Sequence, residues 1–97
     1  MIFEWDEAKN QANIRKHGMD FADAEQMFSG VLMVLPDTRE EYGEERWMGI
    51  GFTNGRLATV AFTERPGGTI RIISLRRAKR AEQKEYEETI QNGLGAH

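Results

Sequence analysis

The chain contains no cysteine, which removes disulfides, thiolate nucleophiles and sulfur-ligated metals together. Histidine is nearly as scarce: only His17 and His97 are present, far apart in sequence, so they form no ligand pair and leave little imidazole for acid–base work. Acid pairs such as Glu40-Glu41 are adjacent rather than spaced for convergence, and no metal site or cofactor is expected. Proline occurs twice, at Pro36 and Pro66, where it ends extended runs. No apolar run approaches the ~20 residues of a membrane span, and Met1-Ile2-Phe3-Glu4-Trp5-Asp6 has no signal-type apolar stretch. These absences point to the cytoplasm and away from membranes. A glycine-rich phosphate loop is missing too. Gly49-x-Gly51 lies inside an alternating run, where glycine serves close packing or sheet bending.

What is present is charge, unevenly distributed. The 97 residues are 39% apolar and 30% charged, a composition for one small soluble domain over residues 1–97, with 93–97 expected as a frayed tail. The net charge is −3, yet residues 65–84 hold seven bases (Arg65, Arg71, Arg76, Arg77, Lys79, Arg80, Lys84) and one acid, Glu82. Residues 1–44 carry four bases against ten acids. Such separation gives one face for an anion and another for a basic partner.

The periodicity predicts the order βααββββα, an α+β fold. Residues 2–5 read as a strand, and Asp6 caps a helix reaching about Lys16 with Ala8, Ala12 and Ile14 as its apolar positions. Gly18 follows as the left-handed terminator. Asp20 caps a second helix over 21–28, whose Phe21, Ala24, Met27 and Phe28 form one buried stripe. Val31–Leu35 is a strand, and 37–45 an acidic exposed loop. Strands 46–53 and 56–64 flank Asn54-Gly55, the strongest hairpin signal in the chain. Alternation sets Ala58, Val60 and Phe62 toward a core and Thr59, Ala61, Thr63 and Arg65 away from it. On the preceding strand, Trp47 is assigned to the non-core face. Residues 69–75 form an isoleucine-rich strand with Arg71 on the polar face. The last helix spans about Arg80 to Asn92, with Ala81, Tyr86 and Ile90 as its contacts.

Three segments carry a resemblance: Phe3-Glu4-Trp5-Asp6-Glu7-Ala8-Lys9 leading to Asn13 and Lys16-His17-Gly18; Phe62-Thr63-Glu64-Arg65; and Ile70-Arg71-Ile72-Ile73-Ser74 with Arg76-Arg77-Ala78, Glu82 and Tyr86. In this combination the chain resembles the BrnT family of bacterial type II toxins. The resemblance implies a RelE-like fold: a curved antiparallel sheet, two N-terminal helices and one C-terminal helix, with helices packed on one face. It further implies an endoribonuclease that inhibits translation. Its implied partner is a BrnA-like ribbon–helix–helix antitoxin, through which alone operator DNA is contacted. Two departures stand out. Lys79 occupies a position often filled in that family by a small polar residue and cannot accept from the helix amides. Pro66 confines Arg65 to extended conformations.

A metal-independent ribonuclease needs a base for the ribose 2′-hydroxyl, an acid for the 5′-oxygen and cations for the charge that gathers on phosphorus. Arginine suits the last task because its planar fork grips phosphate oxygens two at a time. Arg65, Arg76 and Arg77 are the phosphate-facing candidates, joined by Lys16 and His17 for catalysis and by Arg71, Arg80 and Trp47 for substrate binding. The plainer alternatives are a solvated basic face, a His17 that merely caps its helix, and a catalytically inert co-repressor module that binds a DNA-binding antitoxin.

Overall fold

Strand parity and one three-residue strand decide the architecture. The computed structural model describes residues 1–95. Its elements are β1 (Ile2–Glu4), α1 (Glu7–His17), a 3-10 turn (Phe21–Asp23), α2 (Ala24–Ser29), β2 (Met33–Pro36), β3 (Trp47–Thr53), β4 (Arg56–Arg65), β5 (Thr69–Arg77) and α3 (Arg80–Gly95). The five strands lie in the order β1-β5-β4-β3-β2. β2 to β5 are antiparallel neighbours, but β1 runs parallel to β5, pairing Ile2–Glu4 with Thr69–Arg71. The expected antiparallel sheet is therefore a mixed one. A three-residue strand gives no pattern from which its direction can be read.

Local signals hold where they have a stated physical cause. Asp6 Oδ1 accepts from the Lys9 amide at 3.0 Å, and Gly18 closes α1 in the left-handed region at φ 69°. Asn54 and Gly55 both have positive φ, 51° and 74°, as the tightest hairpin turn requires. α1 itself departs from expectation. Ala8 and Ala12 are exposed, and the buried residues are Asn10 and Asn13. β1 covers only the first part of β5's outer edge. Farther along, Asn13 takes the place of a strand: its side chain accepts from the Leu75 amide at 3.2 Å and donates to the Leu75 carbonyl at 2.8 Å.

Both sheet faces are covered. On the first, Phe21, Ala24 and Met27 pack on Ala58, Val60, Phe62, Ile70, Ile72 and Leu75. A register shift opposite Ala61/Phe62 lets Ile72 and Leu75 share that core although they are three residues apart. Gly49 and Gly51 admit Leu32: a Cβ on Gly49 would meet Leu32 Cδ1 at 3.0 Å and Val60 Cγ1 at 3.1 Å. Trp47 packs, half-buried, against this same core. Its assignment to the non-core face is corrected, because Leu32 and α2 cover the face that Trp47 shares with the two glycines.

The second face holds a smaller core of Met33, Ile50, Ala78 and Tyr86, flanked by Leu57 and Ile90. α3 thus lies across the sheet from α2, while α1 runs along the outer edge of β5, rather than all helices sharing one face. Ala81, expected as a contact of α3, is exposed. The helix continues through Gly95, past the point where a frayed tail was expected. His97 lies outside the described residues. No helix among them is long and apolar enough to cross a membrane.

Candidate active site at the strand-to-helix junction

Arg76 and Glu82 stand six residues apart, on the last turn of a strand and the first turn of a helix. Register pairs Arg76 with Thr59 on the second face, beneath the start of α3. Its Nη1 and Nη2 donate to Glu82 Oε1 and Oε2 at 2.8 and 2.9 Å. Both side chains are about one-fifth exposed. Glu82 Oε1 also accepts from the Thr59 hydroxyl at 3.1 Å and from the Lys79 amide at 2.8 Å. The last contact is the half of a capping box that needs nothing from the residue at the cap. Helix α3 therefore starts at Arg80 despite Lys79, and the departure noted in the sequence is harmless. The Arg76 fork and the other donors hold the Glu82 carboxyl down to about 2, so it is ionised at any ordinary pH.

The C-terminal end of α1 comes to the same place. His17 is half-buried. Burial first, then the cations of Lys16 and Arg76, hold its imidazole below the usual value. A neutral imidazole beside fixed positive charge is a proton acceptor in a setting that favours anions. Arg77 follows Arg76 directly and is exposed, and Arg80 opens α3. Lys16, His17, Arg76, Arg77 and Arg80 are thus brought to one end of β5.

Arg65 is not brought there. It pairs with Thr69 at the opposite end of β5, roughly 20 Å from Arg76 at the usual rise per strand residue. Its surroundings are acidic: it lines a hollow of about 430 Å³ with Glu44, Glu45 and Glu64, a poor place for a phosphate. Arg71 shares that far end, bonded to Glu4, and Trp47 is committed to the core. The expectation of arginines from three positions meeting at one phosphodiester is corrected on this point. β4 and β5 are long antiparallel partners, so residues close to their connecting turn end up far from the strand-to-helix junction.

Sequence reasoning undervalued two residues. Glu82 was visible as the one acid in a basic window, three residues past the cap position, but not as the partner that orients Arg76. Thr59 gave no signal beyond its parity. Within the basic window, Arg65, Arg77, Lys79, Arg80 and Lys84 make no ion pair among the described residues. The acidic stretch 37–45 is paired within its own neighbourhood, Asp37 with Arg39 and Glu44 with Arg46. Among the described residues no three His, Asp or Glu side chains stand close enough together to hold a metal ion.

A mixed five-stranded sheet, three helices and a cationic end built around a fixed arginine define a small α+β domain suited to an anionic substrate. A family model for the ribonuclease toxin BrnT of type II toxin–antitoxin systems matches residues 5–82, and the chain belongs to that family. Among solved structures it is similar to the 1.1 Å crystal structure of the ribonuclease toxin BrnT of Brucella abortus, with 35% identity and a TM-score of 0.66, over 82% of this chain and 100% of that one. No curated protein sequence matches significantly.

Proposed function

We propose that this chain is the toxin of a type II toxin–antitoxin pair, a metal-independent endoribonuclease that blocks translation in the cytoplasm in the manner of RelE-type enzymes. The observation that carries the reading is the junction of α1, β5 and α3. It sets His17 near Lys16 and Arg76, with Arg77 next along β5, in a chain whose family is named for ribonuclease toxins. In the proposed reaction His17 takes the proton of a ribose 2′-hydroxyl. The 2′-oxygen attacks phosphorus to form a cyclic phosphate, and the 5′-oxygen leaves with a proton from solvent. Lys16 and Arg76 stabilise the charge on the phosphoryl oxygens, and Arg77 holds the next phosphate along the strand. Arg80 and Arg71 hold flanking phosphates, with Arg71 the weaker candidate because of its pairing to Glu4 and its place at the far end of β5. Arg65 is left out of the catalytic set.

The proposed antitoxin is a BrnA-like ribbon–helix–helix protein that supplies all contact with operator DNA. RNA incubated with the purified chain in EDTA should be cleaved, and Arg76→Ala with Arg77→Ala should abolish cleavage. EDTA-sensitive activity, or full activity in the double variant, counts against the proposal. The Glu82 clamp favours one competing reading, in which Arg76 is purely structural and the chain is an inert co-repressor subunit. On that reading expression alone leaves growth unaffected while the partner still binds.

A further inference from the structure

We propose that the groove between the β3–β4 hairpin and α3 binds single-stranded RNA, with Phe52 stacking on a base and Arg56 and Arg77 taking the adjacent phosphates. This rests on the ribonuclease reading and extends it to the path of the substrate beyond the junction. Phe52 is 55% exposed, the one exposed aromatic residue among the described residues. It is not loose. Its ring meets Tyr86 edge-on, with centroids 5.9 Å apart and planes at 78°, and the Tyr86 hydroxyl is tied to the Val31 carbonyl at 2.9 Å. A held ring stacks on a base with little entropy left to lose.

Arg56 and Arg77 line the same hollow, about 470 Å³, with Phe52, Gln83 and Glu87. That volume lies in the range of small-ligand sites. Neither arginine makes an ion pair among the described residues. Two guanidinium groups against the single carboxylate of Glu87 leave the hollow cationic, in a chain of net charge −3. An aromatic face beside two cations that make no ion pair matches a single strand, which offers a π-face and a phosphate at every step. An apolar peptide would cover Phe52 but strand both arginines.

Continuity with the junction supports the assignment. Phe52 pairs with Leu57, and Thr59 with Arg76. Two strand spacings and two residues of rise separate Phe52 from Arg76 by roughly 12 Å, and Arg77, next to Arg76 on β5, lines the hollow with Phe52. A strand cleaved at the junction meets this groove about two nucleotide steps away.

The test is anisotropy titration of a labelled 2′-O-methyl RNA oligomer, which binds but cannot be cleaved because its nucleophile is blocked. Phe52→Ala should weaken binding by about five- to a hundredfold, and Arg56→Ala by about tenfold or more. Phe52→Trp should keep the affinity, and its added emission should be quenched by the oligomer. Unchanged melting curves will show that the exposed positions do not carry the fold. Wild-type affinity in both alanine variants overturns the proposal. So does Phe52→Ala weakening only the hold of a co-produced protein partner. RNA cleavage by the wild type with no effect of these variants sinks the groove alone. Stacking on Phe52→Trp without any cleavage sinks the ribonuclease reading alone.

Discussion

The two ends of β5 carry the same chemistry and put it to different use. At one end Arg71 meets Glu4 in a single contact with each side chain more than a third exposed. At the other, Arg76 meets Glu82 through both prongs of its fork, in shelter, and Glu82 also grips Thr59 and the first amide before α3. The first pair sits where β1 already covers the strand edge, so the backbone needs nothing from it. The second closes the passage from strand to helix and sets an arginine beside His17. An arginine–carboxylate pair therefore has no fixed worth. Its value follows from shelter and from what else the carboxylate holds.

Activity should separate the ends most sharply. Replacing Arg76 and Glu82 together by Ala avoids leaving either charge alone, and should lower the rate of RNA cleavage by about a hundredfold or more. Arg65→Ala at the far end should change it by less than about threefold. Equal losses would show that the ends cooperate and that the distance between them is irrelevant.

Stability should separate them next. Glu82→Ala strands a partly sheltered guanidinium and uncaps α3, at a cost of about 2–3 kcal/mol in denaturant unfolding, below the usual range for a fully buried pair because solvent reaches this one. Asn13→Ala probes the edge that β1 leaves open. Without the side-chain amide the buried Leu75 N–H and C=O lose their partners, for about 2 kcal/mol, and exchange of the Leu75 amide should accelerate. A protected Leu75 amide in that variant would mean another group covers the edge.

Acid sharpens the contrast further. The Glu82 carboxyl is held at about 2, below its ordinary 4.5. A depressed carboxylate gives stability that is present above the unfolded value and lost as pH falls toward the folded one. The loss should therefore run from about pH 4.5 to 2. After discounting for solvent access, it amounts to about 1–2 kcal/mol. The wild type should lose its advantage over Glu82→Gln across that window. His17 shifts in the same direction, its imidazole lowered by burial and two cations, so its contribution fades as pH drops below 6.5.

What the sequence revealed follows the range of the physics involved. Asp6, Gly18, Asn54 and Gly55 act within a few residues of themselves, so caps and turn were readable. The parity of β4 was readable because alternation is itself local. The parallel β1, α3 on the second face and the core role of Trp47 depend on which strand neighbours which and what covers each face. Asn10 and Asn13 misled for a related reason. Polar residues on a helix read as solvent-facing until a bare strand edge needs an amide. Arg65 misled because sequence proximity to Arg71 concealed that a hairpin carries the two away from Arg76.

The smallest effect is the control for the rest. Glu4→Ala should cost less than about 1 kcal/mol, because half-exposed pairs exchange water contacts for modest Coulomb gain. Arg71 would turn to solvent, and the β1–β5 ladder, made of backbone bonds, would persist. That near-neutral result is what makes a loss at Glu82 interpretable. If Glu4→Ala instead matched Glu82→Ala in unfolding free energy, shelter and added contacts would not be what distinguishes the pairs. Differential stability would then have to come from β1 docking, a contribution visible as loss of protection across the amides of Thr69 to Arg71.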